Sequence, residues 1–416
     1  VDKTSIIILT HNQIYLTYLC LESIRRHTSV PYEIIVVDNG STDRTVKYLL
    51  GQPDLNLIQN ATNLGFAKGC NQGYAAATGD TILFLNNDTI VTPGWLTRML
   101  SALYSDDTIG MVGPVSNYVS GRQQIPVSYQ DFSEAEAFSI QHAARYEGKR
   151  LDERRVVGFC MLIKREVLAE VGVFDEQYGL GNYEDDDLCL RVINNGYRIQ
   201  IIYDSFIHHF GHMTMGILHE SNLNQLLVLN RDKARLKWGA DIHSLIYKEP
   251  ATITVIVPVR PTAVCLQLQQ MVESIGQLAD EWIVLGDNVS EEMQACLSDL
   301  VCPVINVDQS DSEQPNWSFL RSAATGQYLL WMNPEEWMTP VDARRFAGVK
   351  LQLDSLEDGV SILQHRLAGS DLKTVRRTRM VRREADFSWN PAAHEFNLNP
   401  AAVIRHTDIS FTLKPL

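Results

Sequence analysis

Apolar and β-branched residues fall in short runs that end abruptly in polar clusters, with segments of helical period between them. That alternation predicts an α/β fold with a mostly parallel sheet and right-handed crossovers. Residues 5–9 predict a strand, Thr10-His11-Asn12 a polar loop, and the amphipathic stretch through Arg26 a helix. A second buried strand at 32–37 ends in Asp38-Asn39-Gly40-Ser41-Thr42-Asp43, where Ser41 is placed to cap a helix running to Leu50. Residues 55–59 give a third strand, and 65–77 a small-residue, Gly-rich helix. The run at 81–85 (TILFL) stops at Asn86-Asn87-Asp88 before Pro93-Gly94 breaks the chain. Asn-Asn-Asp is good turn chemistry. It is also what a sheet edge needs, because ligands of open α/β sheets sit beyond the carboxyl ends of the strands and an Asp there can hold a divalent cation against a phosphate.

Further strands are predicted at 110–114, 156–164 and 197–207, and residues 116–135 read as an irregular, mobile loop on the acceptor side. Gly172-Val173-Phe174-Asp175 forms a turn after a short helix. Four consecutive acids, Glu184-Asp185-Asp186-Asp187, repel one another unless a helix N-terminus, a cation or solvent compensates them. The helix mouth is the least costly place, and a solvated acidic cap is the plain structural alternative. After the strand at 197–207 come His208-His209-Phe210-Gly211-His212, which read either as part of a metal site or as a polar loop.

Beyond Lys248-Glu249-Pro250 the plan restarts, so a tandem duplication is expected. Residues 254–258 repeat 5–9, residues 281–285 repeat 33–37, and 324–340 align without a gap on 77–93. In the second copy Gly286 meets Asp38, and Asn333-Pro334-Glu335 replaces Asn86-Asn87-Asp88. No counterpart of residues 184–187 follows, although His394-Glu395 leaves residual chemistry open. Trp317, Trp331 and Trp337 read as core or as a stacking platform. The basic run 373–383 reads as a solvated strand face.

With 416 residues, two domains are the prior, drawn at 1–247 and 251–416. A net charge of -14 argues against nucleic acid as a partner. Seven cysteines without paired spacing predict reduced thiols and a cytoplasmic protein. No run is long and apolar enough for a transmembrane segment. Peripheral contact with the inner face of a membrane stays open, as does oligomerisation through the second domain. A start at Val1 suggests processing or a piece of something longer.

Six motifs in order resemble family 2 inverting glycosyltransferases of the GT-A fold, in particular their rhamnosyltransferase-like branch. They are Thr10-His11-Asn12, residues 37–43, Asn63-Leu64-Gly65-Phe66-Ala67, Asn71-Gln72-Gly73, Asn86-Asn87-Asp88 and residues 184–188. The resemblance implies that Thr10 and Asp38 hold the base and ribose of the nucleotide, with Asn63 and Lys68 nearby. His11, Asn12, Ser41, Gly65, Phe66, Asn71, Asn86 and Asn87 complete that donor side. It implies that Asp88 binds Mn2+ or Mg2+ bridging the diphosphate, that His209 or His212 completes the metal site, and that Asp185 is the base. Glu184 stands with Asp185 in the catalytic pair, Gly158 and Asp187 fall on the acceptor side, and Glu184 and Asp187 orient the acceptor or cap the helix. The implied partners are a UDP- or dTDP-sugar donor and a glycan, glycolipid or protein acceptor, with the second domain a degenerate GT-A-like copy that positions acceptor or supports assembly.

Residue chemistry points the same way. Inversion at an anomeric carbon needs one base for the acceptor hydroxyl and a Lewis acid at the departing diphosphate, roles that Asp185 and Asp88 can divide. Hydrolysis by two flanking carboxyls would not need the nucleotide loops. Nucleotidyl transfer would want a Gly-rich basic loop after the first strand, which His11-Asn12-Gln13 is not. The competing class is a catalytically inactive glycan- or nucleotide-binding protein.

Overall fold

The computed structural model describes residues 3–211, 220–259, 265–286, 304–307, 314–354, 356–368 and 371–413. The chain divides into two compact units, Val1–Ile193 with Tyr197–Lys248, and Asn194–Gly196 with Glu249–Leu416.

The strands of the first unit are β1 (Thr4–Thr10), β2 (Tyr32–Asn39), β3 (Leu55–Asn60), β4 (Thr81–Asn86), β5 (Thr89–Val91), β6 (Ile109–Ser116), β7 (Arg150–Glu153), β8 (Cys160–Lys164) and β9 (Arg198–His209). They form one sheet in the order β3-β2-β1-β4-β8-β6-β9-β5, with β7 paired to β9. The half from β3 to β4 is parallel, as the alternation predicts. Its neighbour β8 runs antiparallel to both β4 and β6, so the whole is a mixed sheet. Ile6, Ile8, Val36, Leu83 and Leu85 on one face bury against Leu21, Ile24, Trp95 and Met99 from the flanking helices. On the other face the Gly-rich helix Phe66–Ala76 lies close to β1, because a Cβ on Gly69 or Gly73 would meet Leu9 or Ile7 at 2.3 Å.

Two local expectations change. The strand expected at 156–164 is regular only from Cys160, because the N–H groups of Val157 and Gly158 bond the side chains of Gln123 and Asp185 instead of a neighbouring strand. The helix after β2 begins only at Thr45, and Asp43, not Ser41, bonds its first N–H. Residues 117–134 are irregular, with two short 3-10 turns, Gly121–Gln123 and Phe132–Glu134, before the helix Ala135–Arg145.

The second unit carries β10 (Ile253–Pro258), β11 (Glu281–Leu285), β12 (Val304–Val307), β13 (Tyr328–Trp331), β14 (Glu336–Trp337), β15 (Gly359–Ala368), β16 (Asp371–Arg382), β17 (Phe387–Asn390), β18 (Glu395–Leu398) and β19 (Ile404–Leu413). Its main sheet runs β12-β11-β10-β13-β16-β15-β19-β14, the order of the first unit strand for strand, and β17-β18 form a separate hairpin. Trp331 is buried against Trp317, Trp389 and Phe396, so it belongs to a core rather than to a platform. Trp317 and Trp337 are partly buried. The basic run is not uniformly solvated, since Arg379 is fully buried in an ion pair with Glu336.

Candidate active site

The carboxyl ends of β1, β2, β4, β6 and β9 open on a cleft of about 790 Å3 in the first unit. Its floor begins after β1, where Asn12 and Gln13 take left-handed backbone at φ 59 and 60°. Asn12 holds that bend by accepting from the N–H groups of Thr42 (2.7 Å) and Asp43 (3.2 Å), while its own N–H donates to Ser41 Oγ (2.6 Å). His11 Nδ1 lies 3.0 Å from the carbonyl of Asn39. Asn39 in turn donates to Asn63 Oδ1 (2.9 Å) and accepts from the N–H of Leu64 (3.1 Å). The loops after β1, β2 and β3 are thus one network of amide side chains. Asp38 is buried behind it; Oδ2 accepts from the N–H of Ser41, and Oδ1 has no partner among the described residues.

Thr10 lines the cleft, but its hydroxyl is turned inward to Thr17 (2.9 Å) and Asn87 (3.2 Å). Asn87 is therefore a brace between the β4 turn and the first helix. Asp88, 4% exposed, faces Nε2 of His209 at 3.2 Å. The other ring nitrogen of His209 lies 2.7 Å from the Tyr118 carbonyl, which only accepts, so Nδ1 carries a hydrogen and Nε2 is the nitrogen turned to the carboxylate. A proton on Nε2, or a cation in its place, joins the two groups. Phe159 stacks on the same ring at 5.1 Å and holds its plane. The pair fits a divalent cation that takes its remaining ligands from a diphosphate and water; among the described residues no cluster of three His, Cys, Asp or Glu ligands exists. His208 points elsewhere, to Tyr129 at 2.7 Å, and His212 lies outside the described residues.

Opposite stands the helix Glu184–Asn194, whose first four residues are all acids and all buried, so a solvated cap is overturned. The approach to it, Gly181, Asn182 and Tyr183, has φ of 139, 73 and 77°, an unfavourable path for the last two. Asn230 holds it there, donating to the carbonyls of Tyr178, Gly181 and Asn182 at 2.8 to 3.1 Å. Gly65 is required by the same approach, since a Cβ on it would lie 2.0 Å from the carbonyl of Gly179.

The four acids then diverge with the helical turn. Asp185 is 8% exposed and lines the cleft, with Oδ2 accepting from the Gly158 N–H (3.0 Å) and Oδ1 from the Asp186 N–H (2.9 Å). Burial, then the charge of Asp186, pushes its carboxyl above the usual range, against the pull of Arg155. Glu184 also lines the cleft; burial, with Asp185 beside it, raises its carboxyl well above the ordinary value, and its Oε2 has no partner among the described residues. Asp186 bonds Arg155 and His243, which outweigh burial and lower its pKa. Asp187 does not reach the acceptor side. It is fully buried among Tyr178, Arg191, Lys237 and Trp238, at 2.7 to 3.2 Å, and ties the helix to its neighbours.

His11, Asn12, Asn63, Phe66, Asn86, Asn87, Asp88, Gly158, Glu184, Asp185 and His209 thus share one cleft with Thr10. Lys68 is exposed outside its lining, Ser41 serves the loop, and Asn71 bonds the Phe174 carbonyl and Glu176. Asn39, Tyr118, Arg155, Asn230 and His243 were not anticipated. Asn39 had a signal, lying inside the polar cluster after β2; the others come from segments without a motif.

A cleft at the carboxyl ends of a Rossmann-like sheet, with a carboxylate–imidazole pair facing a buried carboxylate, defines a glycosyltransferase of the GT-A type. The model of glycosyl transferase family 2 matches residues 5–172. The uncharacterized glycosyltransferase YwdF of Bacillus subtilis is 31% identical over 200 residues, 48% of this chain and 70% of that protein. The chain belongs to glycosyl transferase family 2. The N-acetylglucosaminyl-diphospho-decaprenol L-rhamnosyltransferase of Mycobacterium tuberculosis is 27% identical over 47% of this chain and 72% of its own length. With the protein y4gI of Sinorhizobium fredii the shared stretch falls to 23% of that protein. Among solved structures, mannosyltransferase PcManGT from Pyrobaculum calidifontis, in complex with GDP-Man and Mn2+, covers 59% of this chain and 69% of its own at 21% identity and a TM-score of 0.42. Among the described residues no helix is long and apolar enough to cross a membrane.

Proposed function

We propose that the first unit transfers a sugar, with inversion, from a UDP- or dTDP-sugar to a hydroxyl of a glycan, glycolipid or protein. The observation that carries this reading is that one cleft is lined by both the Asp88–His209 pair and Asp185. Asp185 takes the proton of the acceptor hydroxyl as that oxygen bonds the anomeric carbon and the bond to the diphosphate breaks. Its raised pKa, set by burial and Asp186, makes it a stronger base than a solvated Asp, and the Gly158 N–H aims it. Asp88 and His209 Nε2 would hold Mn2+ or Mg2+, which when bound supplies charge stabilisation to the departing diphosphate. The amide network of Asn12, Asn39 and Asn63 shapes the donor side, with Asp38 buried behind it and holding the loop through the Ser41 N–H. Glu184, whose carboxyl burial raises well above its ordinary pKa, can donate a hydrogen bond to a sugar hydroxyl when protonated. The second unit, in this reading, is a degenerate copy that binds no donor and serves acceptor positioning or assembly.

The test is a screen of UDP- and dTDP-sugars with Mn2+ or Mg2+ for turnover. Activity that survives excess chelator, or that persists in Asp185→Asn, would refute the assignment. Nucleotide binding without any turnover would leave a binding protein.

A further inference from the structure

Behind Asp185 lies a chain of charged groups for which the proposed mechanism has no role. Arg155 and His243 grip the two oxygens of Asp186, His243 Nε2 at 2.8 Å, and the backbone N–H of Asp186 donates to Asp185. The chain runs from interior to solvent, since the Asp186 side chain is 5% exposed and that of His243 48%. His243 comes from the short helix Ile242–Ile246, reaches the cleft lining and stacks on Tyr183 at 6.0 Å with 29° between the rings. Tyr183 is one of the two strained residues at the mouth of the acidic helix.

We propose that His243 is a positioning residue for the base. By holding Asp186 against Arg155 it fixes the peptide that binds Asp185, and its charge sets how much of Asp186's field Asp185 feels. This rests on the reading of Asp185 as base. Every charged neighbour enters the sign. His243 faces Asp186, with Arg155 on the far side, and Asp241, which caps its own helix and is paired from the long neighbouring helix by Arg231 and Arg235. The phenol of Tyr247 sits one turn further on. Asp185 faces Glu184, Asp186, Arg155 and the buried thiol of Cys189. Arg155 cancels Asp186, so a protonated His243 leaves this group one charge positive, stabilises the Asp185 carboxylate and weakens the base. A neutral His243 does the reverse. The bond to Asp186 raises the pKa of His243, so its charged form persists to higher pH than that of a free imidazole.

Full-length protein labelled with 13C at the Asp γ-carbons, with Asp185 identified by its loss in Asp185→Asn, reads the coupling without substrate. In His243→Gln, which keeps a hydrogen-bond donor but no charge, the Asp185 midpoint should rise by about one pH unit, the order expected when one charge is removed from the Arg155–Asp186–His243 group. With whichever sugar nucleotide turns over, the acid limb of kcat should move with it while donor KM stays. His243→Ala should show the same shift and a lower kcat, which His243→Gln recovers. An unmoved midpoint in both variants overturns the proposal, including where only melting temperature or acceptor KM changes. A shifted midpoint combined with an active Asp185→Asn would support the coupling and refute the base.

Discussion

The two sheets agree at their amino edges and part company at their carboxyl ends. In the first unit Glu33 accepts from the hydroxyls of Ser5 and Thr78 and from the Thr78 N–H, and the Gly79 N–H donates back to Ser5. In the second, Glu281, Thr254, Thr325 and Gly326 make the same set of bonds. Ser23 receiving the Val91 N–H is repeated by Ser274 and Met338. Strand register is also shared, Ser5 pairing with Glu33 and Ile82 as Thr254 pairs with Glu281 and Leu329. At the other edge the described residues differ. Gly286 stands where Asp38 does, and a Cβ there would lie 2.5 Å from the Val259 carbonyl. Pro334 replaces the bracing Asn87, and Glu336 is buried with Arg379 beneath the turn. Bonds that close crossovers are needed by any copy of the fold; groups that point into a cleft are needed only where there is a ligand.

The largest effects should come from the end where the copies differ. Asp185→Asn should lower turnover by about 10²- to 10⁴-fold, the usual worth of a general base, with nucleotide binding kept. Asp88→Ala should remove metal-dependent binding of the sugar nucleotide in calorimetric titration of the full chain. Metal-dependent binding that survives Asp88→Ala would show that the metal is held by other groups.

Next in size is the Glu336–Arg379 pair, where both side chains have no exposure and Glu336 also accepts from the Asn333 N–H at 2.8 Å. Arg379→Met leaves a buried carboxylate without its cation and should cost about 3 to 5 kcal/mol. Denaturant melts should show that loss in one transition, and adding Glu336→Gln should recover part of it. A variant as stable as the parent would mean the turn of the second copy is not organised by this pair.

How much of this was readable beforehand depends on how each residue reaches its place. Asp88 ends a buried strand, so periodicity and turn chemistry located it, whereas Asp185 and Asn12 were picked out of an acidic run and a polar loop by the family resemblance. Asp187 was misplaced because four adjacent acids look alike in sequence, whereas a helix sends successive side chains about 100° apart and points the fourth away from the cleft. Thr10 and Ser41 were placed on the right loops, but their hydroxyls serve the loops themselves. Arg155, Asn230 and His243 arrive by tertiary approach from segments with no repeating pattern, and no local rule marks them.

A pH effect separates the units as well. Burial, then the neighbouring His209, lowers the His208 pKa from 6.5 to about 4, and on β19 it is Thr412, pairing with Trp337, that stands where His208 pairs with Ile90 on β9. Below 6.5 the unfolded chain takes up a proton that the folded imidazole refuses until about pH 4. Stability is therefore full above 6.5 and should fall by up to about 3 kcal/mol across that window. Urea midpoints measured from pH 7 to 4 should fall less steeply in His208→Gln. Equal slopes would mean the ring is solvated.

The smallest effect tests the shared edge directly. Glu33→Gln and Glu281→Gln each keep one acceptor oxygen and replace a charge-assisted set of bonds by neutral ones, so each should cost about 1 to 2 kcal/mol. Glu33 also pairs with Lys3 at 3.1 Å, but both side chains are partly exposed there, which makes that contact worth little. Glu281 is 3% exposed, so its loss should be the greater of the two. Because the bonds repeat donor for donor, the two variants should shift separate unfolding transitions in the same direction and leave the donor affinity of the full chain untouched. A loss of affinity in Glu33→Gln would show that the amino edge and the cleft are mechanically linked in the first unit. The near identity of the two networks would then reflect shared function rather than a shared scaffold.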